Sequence, residues 1–144
     1  MTQVKTRLAL TGSGAILTLF GGALLIDPKT FLEMSHVLIE RDAGLMSELT
    51  APSGVLVLTG AFMMLAAFRL RLANTALFVG AIIYGSYGIS RVISMALHGI
   101  PSESLVTATV IELAVAFMLS VLGITNRVDQ DLSDTSVPLL QAGL

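Results

Sequence analysis

Long apolar runs, each bounded by charged residues, are the dominant pattern along this chain. Four such runs cover residues 8–26, 49–68, 72–97 and 104–124. Each is close to the roughly 20 residues that a helix needs to cross a hydrocarbon layer about 30 Å thick. The pattern therefore predicts an all-α integral membrane protein, a four-helix bundle in which each run forms one transmembrane helix.

The connection between the first two runs is long enough to hold structure of its own. It begins with Asp27 and Pro28, a pair typical of a helix N-cap and first turn. Apolar residues follow at helical spacing, with the charged residues mostly elsewhere, which predicts a short amphipathic helix on the outer membrane surface. Gly44 and the stretch 47–52 are expected to return the chain to the bilayer.

The other connections are short, and the C-terminal end is polar. Residues 69–71 join the second and third runs, which makes those helices antiparallel neighbours. Residues 98–102 form the next turn, and Ser102 is a candidate N-cap for the fourth helix. We expect a membrane domain over residues 1–125 and a flexible cytoplasmic tail over residues 126–144, where several Asp and Ser residues stand.

The basic residues predict the orientation in the membrane. One side would hold Lys5, Arg7, Arg69, Arg71 and Arg127, and the other only Lys29 and Arg41. Since cytoplasmic loops are rich in Lys and Arg, we expect both termini in the cytoplasm. The first run is longer than the core of a signal peptide, about 7–15 residues, so we expect it to be retained.

Composition excludes several classes of function. Apolar residues make up 54% of the chain and charged residues 12%, against about 25% charged residues in a soluble domain. The 8 basic residues are too dispersed for a nucleic-acid surface. The absence of cysteine excludes disulfides and thiol catalysis. No metal site or cofactor is predicted, and the lack of enzyme motifs favours a protein without catalytic activity.

Two opposite charges lie inside runs that are otherwise apolar. Arg91 stands about 10 Å along its helix from His98, and Glu112 about 12 Å from Ser104. Because a charge in hydrocarbon is costly and the two helices are antiparallel neighbours, we expect the two side chains to pair. The pair would either fix the register of the helices or form an outward-facing polar pocket, which would bind an anionic or polar group or relay a proton.

Further polar residues lie on the same helix face as Arg91. The candidates for a pocket lining are Tyr84, Tyr87, Ser94, His98 and, at the entrance of the second helix, Glu48. An alternative interpretation is that Gly80 and Gly88 on this face permit close packing while the tyrosines fill the core. In the first helix, Gly14, Thr18 and Gly22 form a ladder of small residues that would pack within the bundle or against a second copy of the chain.

A family resemblance rests on some of the same residues. The residues that carry it are Arg91, Ser94, Gly99, Pro101 and Glu112. In this pattern the chain resembles, over most of residues 5–125, a family of small bacterial membrane proteins catalogued as domain of unknown function 4345. It departs from the family's pattern at Ser90, where Gly is common, at His98, where Asp is common, and at residues 52–54. The resemblance implies a four-helix membrane fold and no particular activity. Because the family it resembles is bacterial, we expect a location in a bacterial inner membrane.

Three functions are compatible with these features. The preferred hypothesis is a non-catalytic accessory or assembly subunit, because the chain is small and carries no catalytic motif. The alternative is a binding or carrier protein for a lipid, quinone or other amphiphile, with an outer-leaflet pocket at Arg91 and Glu112. A small enzyme or a proton-coupled transporter ranks third. The expected partners are the lipid bilayer and, beyond it, other membrane subunits or a second copy of the chain.

Overall fold

Helices make up nearly all of the structure, a computed structural model that describes residues 2–40 and 42–141. In chain order they are α1 (Thr2–Ile26), α2 (Pro28–Glu33), α3 (Ala43–Phe68), α4 (Leu70–His98) and α5 (Glu103–Gln141). All except α2 contain a stretch long and apolar enough to cross a membrane. The predicted all-α, four-helix membrane architecture is therefore confirmed, and the chain is a small multi-pass membrane protein.

The long helices pack as two antiparallel pairs. Helix α1 lies along α3, and α4 lies along α5, while the pairs meet mainly where α3 contacts α4. Each long helix contributes a fully buried side chain to the shared core, namely Leu10, Met63, Leu77 and Leu119. Burial of these side chains joins the two pairs into one bundle.

The short helix in the first connection begins as the sequence predicts. The carboxylate of Asp27 accepts hydrogen bonds from the backbone N–H of Thr30 at 3.3 Å and from its hydroxyl at 2.7 Å. Pro28 occupies the first turn of α2, where its missing N–H costs no hydrogen bond. At the opposite end of the bundle, Arg69 alone separates α3 from α4, which confirms the tight antiparallel connection.

The second long helix begins earlier than predicted. The expected return segment 47–52 is helical, because Asp42 caps α3 by accepting a hydrogen bond from the N–H of Leu45 at 2.9 Å. Pro52 lies inside the helix and removes one backbone hydrogen bond there. The charge-free run marked where the helix becomes apolar, not where it begins. Arg41, used above to predict the orientation, lies outside the described residues.

Helix α5 continues past residue 124, the predicted end of the fourth span, to Gln141. The backbone of residues 126–141 is therefore helical, although composition predicts a flexible tail. An existing helix extends at one hydrogen bond per added residue and needs no new nucleus, so a polar segment can follow an apolar one. The domain boundary at residue 125 stays a prediction.

The contact between α1 and α3 depends on glycine. A Cβ on Gly60 would lie 2.5 Å from the carbonyl oxygen of Gly14, so neither position leaves space for a side chain. Further along α1, Gly21 also packs against α3. Gly22, which was predicted to be part of the ladder, has nothing within 4 Å of its Cβ position. The ladder thus packs within the bundle, with its last step shifted by one residue.

Candidate functional site

The two charges found inside apolar runs form an ion pair. The Nε of Arg91, on α4, donates to Glu112, on α5, at 3.1 Å to Oε2 and 3.3 Å to Oε1. The side chains remain 33% and 17% exposed, respectively. The predicted contact between them is confirmed, but neighbouring side chains do not fully cover the pair.

The orientation of the guanidinium leaves donors available. Both hydrogen bonds to Glu112 come from Nε, so the carboxylate is not bound by the two terminal nitrogens of the guanidinium. Within the described part of the chain, neither terminal nitrogen of Arg91 donates a hydrogen bond. A guanidinium has five N–H donors, so four of them remain for another group.

A cavity of about 340 Å³ lies beside this pair, between the two helix pairs. We call it the apolar cavity, and its lining is Ile16, Leu17, Phe20, Leu24, Phe31, Ser35, Leu56, Ile83, Tyr84, Tyr87, Arg91, Ser104, Leu105, Thr107, Ala108, Ile111 and Glu112. All five helices or their immediate ends contribute to it. Most of the wall is aliphatic or aromatic, and the charged groups are confined to one patch on α4 and α5.

The two predicted tyrosines have different roles in this wall. The hydroxyl of Tyr84 donates to the backbone carbonyl of Ser13 at 2.7 Å and ties α4 to α1. The hydroxyl of Tyr87 has no hydrogen-bond partner among the described residues, and it lies one helical turn from Arg91 on the same face. Tyr84 is thus a packing residue, while Tyr87 adds a polar group to the patch at the ion pair.

Close helix packing and the cavity occur side by side. A Cβ on Gly88 would lie 2.7 Å from Cδ2 of Leu113, so this glycine allows α4 to approach α5 one turn before Arg91. The close-packing alternative drawn from the sequence is therefore correct for the glycines of this face. Tyr87 and Arg91, on the same face, line the apolar cavity.

The first connection forms part of the cavity wall, a role that the sequence analysis missed. The ring of Phe31, on α2, meets Phe20 of α1 edge to face at 5.6 Å. Just after α2, the carbonyl of Ser35 accepts a hydrogen bond from Ser102 at 3.0 Å, so the predicted N-cap side chain bonds across the bundle. The amphipathic pattern around Phe31 gave α2 an apolar face, but nothing in it identified what that face covers.

A second cavity, of about 300 Å³, lies at the α4–α5 turn. We call it the turn cavity, and its lining is Arg91, Ser94, Met95, His98, Gly99, Ile100, Pro101 and Leu105. Arg91 and Leu105 line both cavities and so stand between them. Gly99 shapes the turn with a φ of 94°, a conformation that favours glycine.

The structure thus separates the predicted pocket residues into two groups. Tyr84, Tyr87 and Glu112 line the apolar cavity, whereas Ser94 and His98 line the turn cavity. Glu48 lines neither; it is exposed on α3. Among the described residues, no group of three or more His, Asp or Glu side chains comes together to hold a metal ion. The site instead offers an apolar space, a cation with free donors and a nearby carboxylate.

Residues 5–122 match the model of a family described as Domain of unknown function (DUF4345). The match covers the four long helices down to the middle of α5, and therefore includes both cavities and the ion pair. No curated protein and no solved structure matches the chain.

Proposed function

We propose that this chain, which belongs to the DUF4345 family, binds a lipid-like amphiphile in the apolar cavity, with the polar end of the ligand at Arg91 and Glu112. The observation that carries the proposal is the cavity itself, about 340 Å³ beside the partly exposed ion pair. Ligand sites in proteins are typically concave, mostly apolar and oriented by a few polar groups, with volumes of roughly 300–1,000 Å³.

The chemistry of the wall favours an amphiphile over a polar solute. Side chains such as Leu17, Phe20 and Ile83 offer no hydrogen bond, so a sugar or a nucleotide would lose its hydration there without compensation. A hydrocarbon chain loses nothing by entering. The donors of Arg91 and the hydroxyl of Tyr87 lie together at one patch, where they suit the single polar end of an amphiphile.

The position of the site along the helices supports the same conclusion. Counted along α4, Arg91 lies about 10 Å from His98, so with the helices spanning a bilayer the pair falls within one leaflet. An amphiphile in that leaflet would have its own polar end at a similar depth. We further propose a bacterial inner membrane with both termini in the cytoplasm, which places the pair in the outer leaflet; the distribution of basic residues supports this orientation.

The accessory-subunit hypothesis, preferred on sequence grounds, becomes the second candidate. The observation in its favour is the exposed apolar face of α5, where the side chains of Val110, Phe117 and Ile124 are 62%, 73% and 57% exposed. Contact with lipid explains this face as well as contact with another subunit does. A pair covered by packing would have favoured a structural role, whereas this pair lines a cavity.

Matched substitutions on α5 test the proposal. Ala108 lines the apolar cavity, and Ala114, on the same helix, is exposed. Ala108→Phe places a ring in the cavity, whereas Ala114→Phe adds the same ring to the outer surface. The proteins would be purified in mild detergent, and mass spectrometry would identify the lipids and proteins that purify with them.

We expect the wild-type protein and Ala114→Phe to retain one class of amphiphile. Ala108→Phe should retain at least about tenfold less of that amphiphile. Equal retention by both variants would show that the lipid is bound elsewhere. Stoichiometric recovery of a protein partner, lost in Ala114→Phe and kept in Ala108→Phe, would instead support the subunit hypothesis.

A further inference from the structure

The turn cavity differs in charge from the apolar cavity. Its polar side chains are Arg91, Ser94 and His98, so it contains a cation, a hydroxyl and an imidazole, and among the described residues no carboxylate lines it. Glu112, the acidic partner of Arg91, lines the apolar cavity. Because Glu112 engages only Nε, it holds the guanidinium in place without using its terminal donors.

The two cavities together have the composition of a complete amphiphile site. Arg91 and Leu105 line both, so a ligand that passes these two side chains would place one part in an apolar space and another in a donor-rich space. The terminal N–H groups of Arg91 make no hydrogen bond to Glu112. A guanidinium binds carboxylate and phosphate oxygens through such terminal N–H groups.

Resting on the function proposed above, we infer that the ligand has an anionic head group, a carboxylate or a phosphate. The head group binds the terminal nitrogens of Arg91 in the turn cavity, and the apolar chain of the ligand occupies the apolar cavity. Ser94 and His98 lie close enough along α4 to line the head-group site, and Glu112 is the residue that positions Arg91.

Three probes with the same hydrocarbon chain test the charge of the head group. Oleate, oleyl phosphate and the neutral oleyl alcohol would be titrated into the detergent-purified full-length protein at alkaline pH, and binding would be read by native mass spectrometry. We expect oleate or oleyl phosphate to bind at least about tenfold more tightly than the alcohol. The preferred acid distinguishes a carboxylate head from a phosphate head.

A charge placed in the turn cavity tests where the head group lies. Ser94→Asp introduces a negative charge beside Arg91, and Ser94→Asn is its neutral match in size and polarity. We expect the aspartate variant to bind the acidic probes at least about tenfold more weakly than the asparagine variant, with the alcohol unchanged. Size-exclusion chromatography and circular dichroism verify that both variants fold; if Ser94→Asp does not, the comparison of the three probes on wild-type protein still tests the inference.

The outcomes separate this inference from the proposed function. If oleyl alcohol binds as tightly as the two acidic probes, the inference of an anionic head group is wrong, while the proposed binding of an amphiphile stands. Equal binding of the acids by the Asp and Asn variants would place the head group outside the turn cavity. If the wild-type protein binds none of the three probes but Ala108→Phe still loses a co-purified lipid, the anionic head group is wrong and the proposed function stands. If the protein binds no probe and Ala108→Phe loses no lipid, the inference and the proposed function are both wrong.

Discussion

The interface between α1 and α3 differs from the interface between α4 and α5 in how much space it leaves between the helices. In the first, Gly14 and Gly60 bring backbone against backbone and leave no space for a side chain. In the second, the helices approach closely at Gly88, and one turn further on an ion pair stands beside two cavities. One interface is thus filled by backbone, and the other keeps space next to a charged group.

The difference shows where this bundle leaves space: beside the Arg91–Glu112 ion pair and not beside the contact of Gly14 with Gly60. A guanidinium and a carboxylate need more room than two glycines, and they cannot be covered by apolar side chains alone without losing hydration. The α1–α3 pair provides an apolar wall of the cavity, and the α4–α5 pair carries the charged groups. The apolar cavity lies between the two pairs, where Tyr84 and Ser13 link them.

The largest expected effect comes from adding a side chain to the backbone contact. Gly60→Leu would force α1 and α3 apart, since even a Cβ meets the carbonyl of Gly14. We expect a loss of roughly 3 kcal/mol or more in the free energy of unfolding, measured by SDS titration in mixed micelles. Gly54→Leu is the control on the same helix, because nothing lies within 4 Å of its Cβ position. Equal stability of the two variants would show that α1 and α3 do not depend on this contact.

An intermediate effect is expected at the ion pair. Arg91→Leu leaves Glu112 unpaired at 17% exposure and should cost about 2 kcal/mol by the same titration. Glu112→Leu should cost less, because the longer arginine can extend toward the surface. The double variant should recover most of the loss, since no charge is then left without a partner. Single variants as stable as the wild type would mean that the pair contributes nothing to folding.

The smallest effect should come from the link between the two helix pairs. Tyr84→Phe removes the donor to the carbonyl of Ser13 at 2.7 Å and should cost about 1 kcal/mol. Tyr87→Phe removes a hydroxyl without a partner among the described residues, so the same measurement should give no change. If the ranking of these two variants is reversed, Tyr87 is the structural residue and Tyr84 is not.

The sequence predicted the elements well and their ends less well. Charge-free runs located the membrane spans, because a charge in hydrocarbon costs several kcal/mol. Helix α3 begins six residues before the apolar run at residue 49, since Asp42 caps a helix whose first turns still carry polar side chains. The contact between Arg91 and Glu112 was predictable because a tight turn leaves two antiparallel helices little freedom of register.

The site was predicted only in part. A helix face identifies Tyr84, Tyr87, Arg91, Ser94 and His98 as neighbours, but not which of them share a cavity. Phe31 and Ser35 reach the apolar cavity from the first connection, and Glu48 lies away from it. Such long-range neighbours depend on how the connections fold back over the bundle, and periodicity along one helix does not contain that information.

The sequence by itself determined that this chain has four helices able to cross a membrane, and it predicted that one arginine and one glutamate meet among them. Both follow from the cost of leaving polar groups without partners in hydrocarbon, which is a local property of each residue and its surroundings. Only the tertiary structure decided that the pair borders two cavities of different polarity. A cavity is what remains between elements after they pack, so its position depends on glycine contacts and connections distant along the chain.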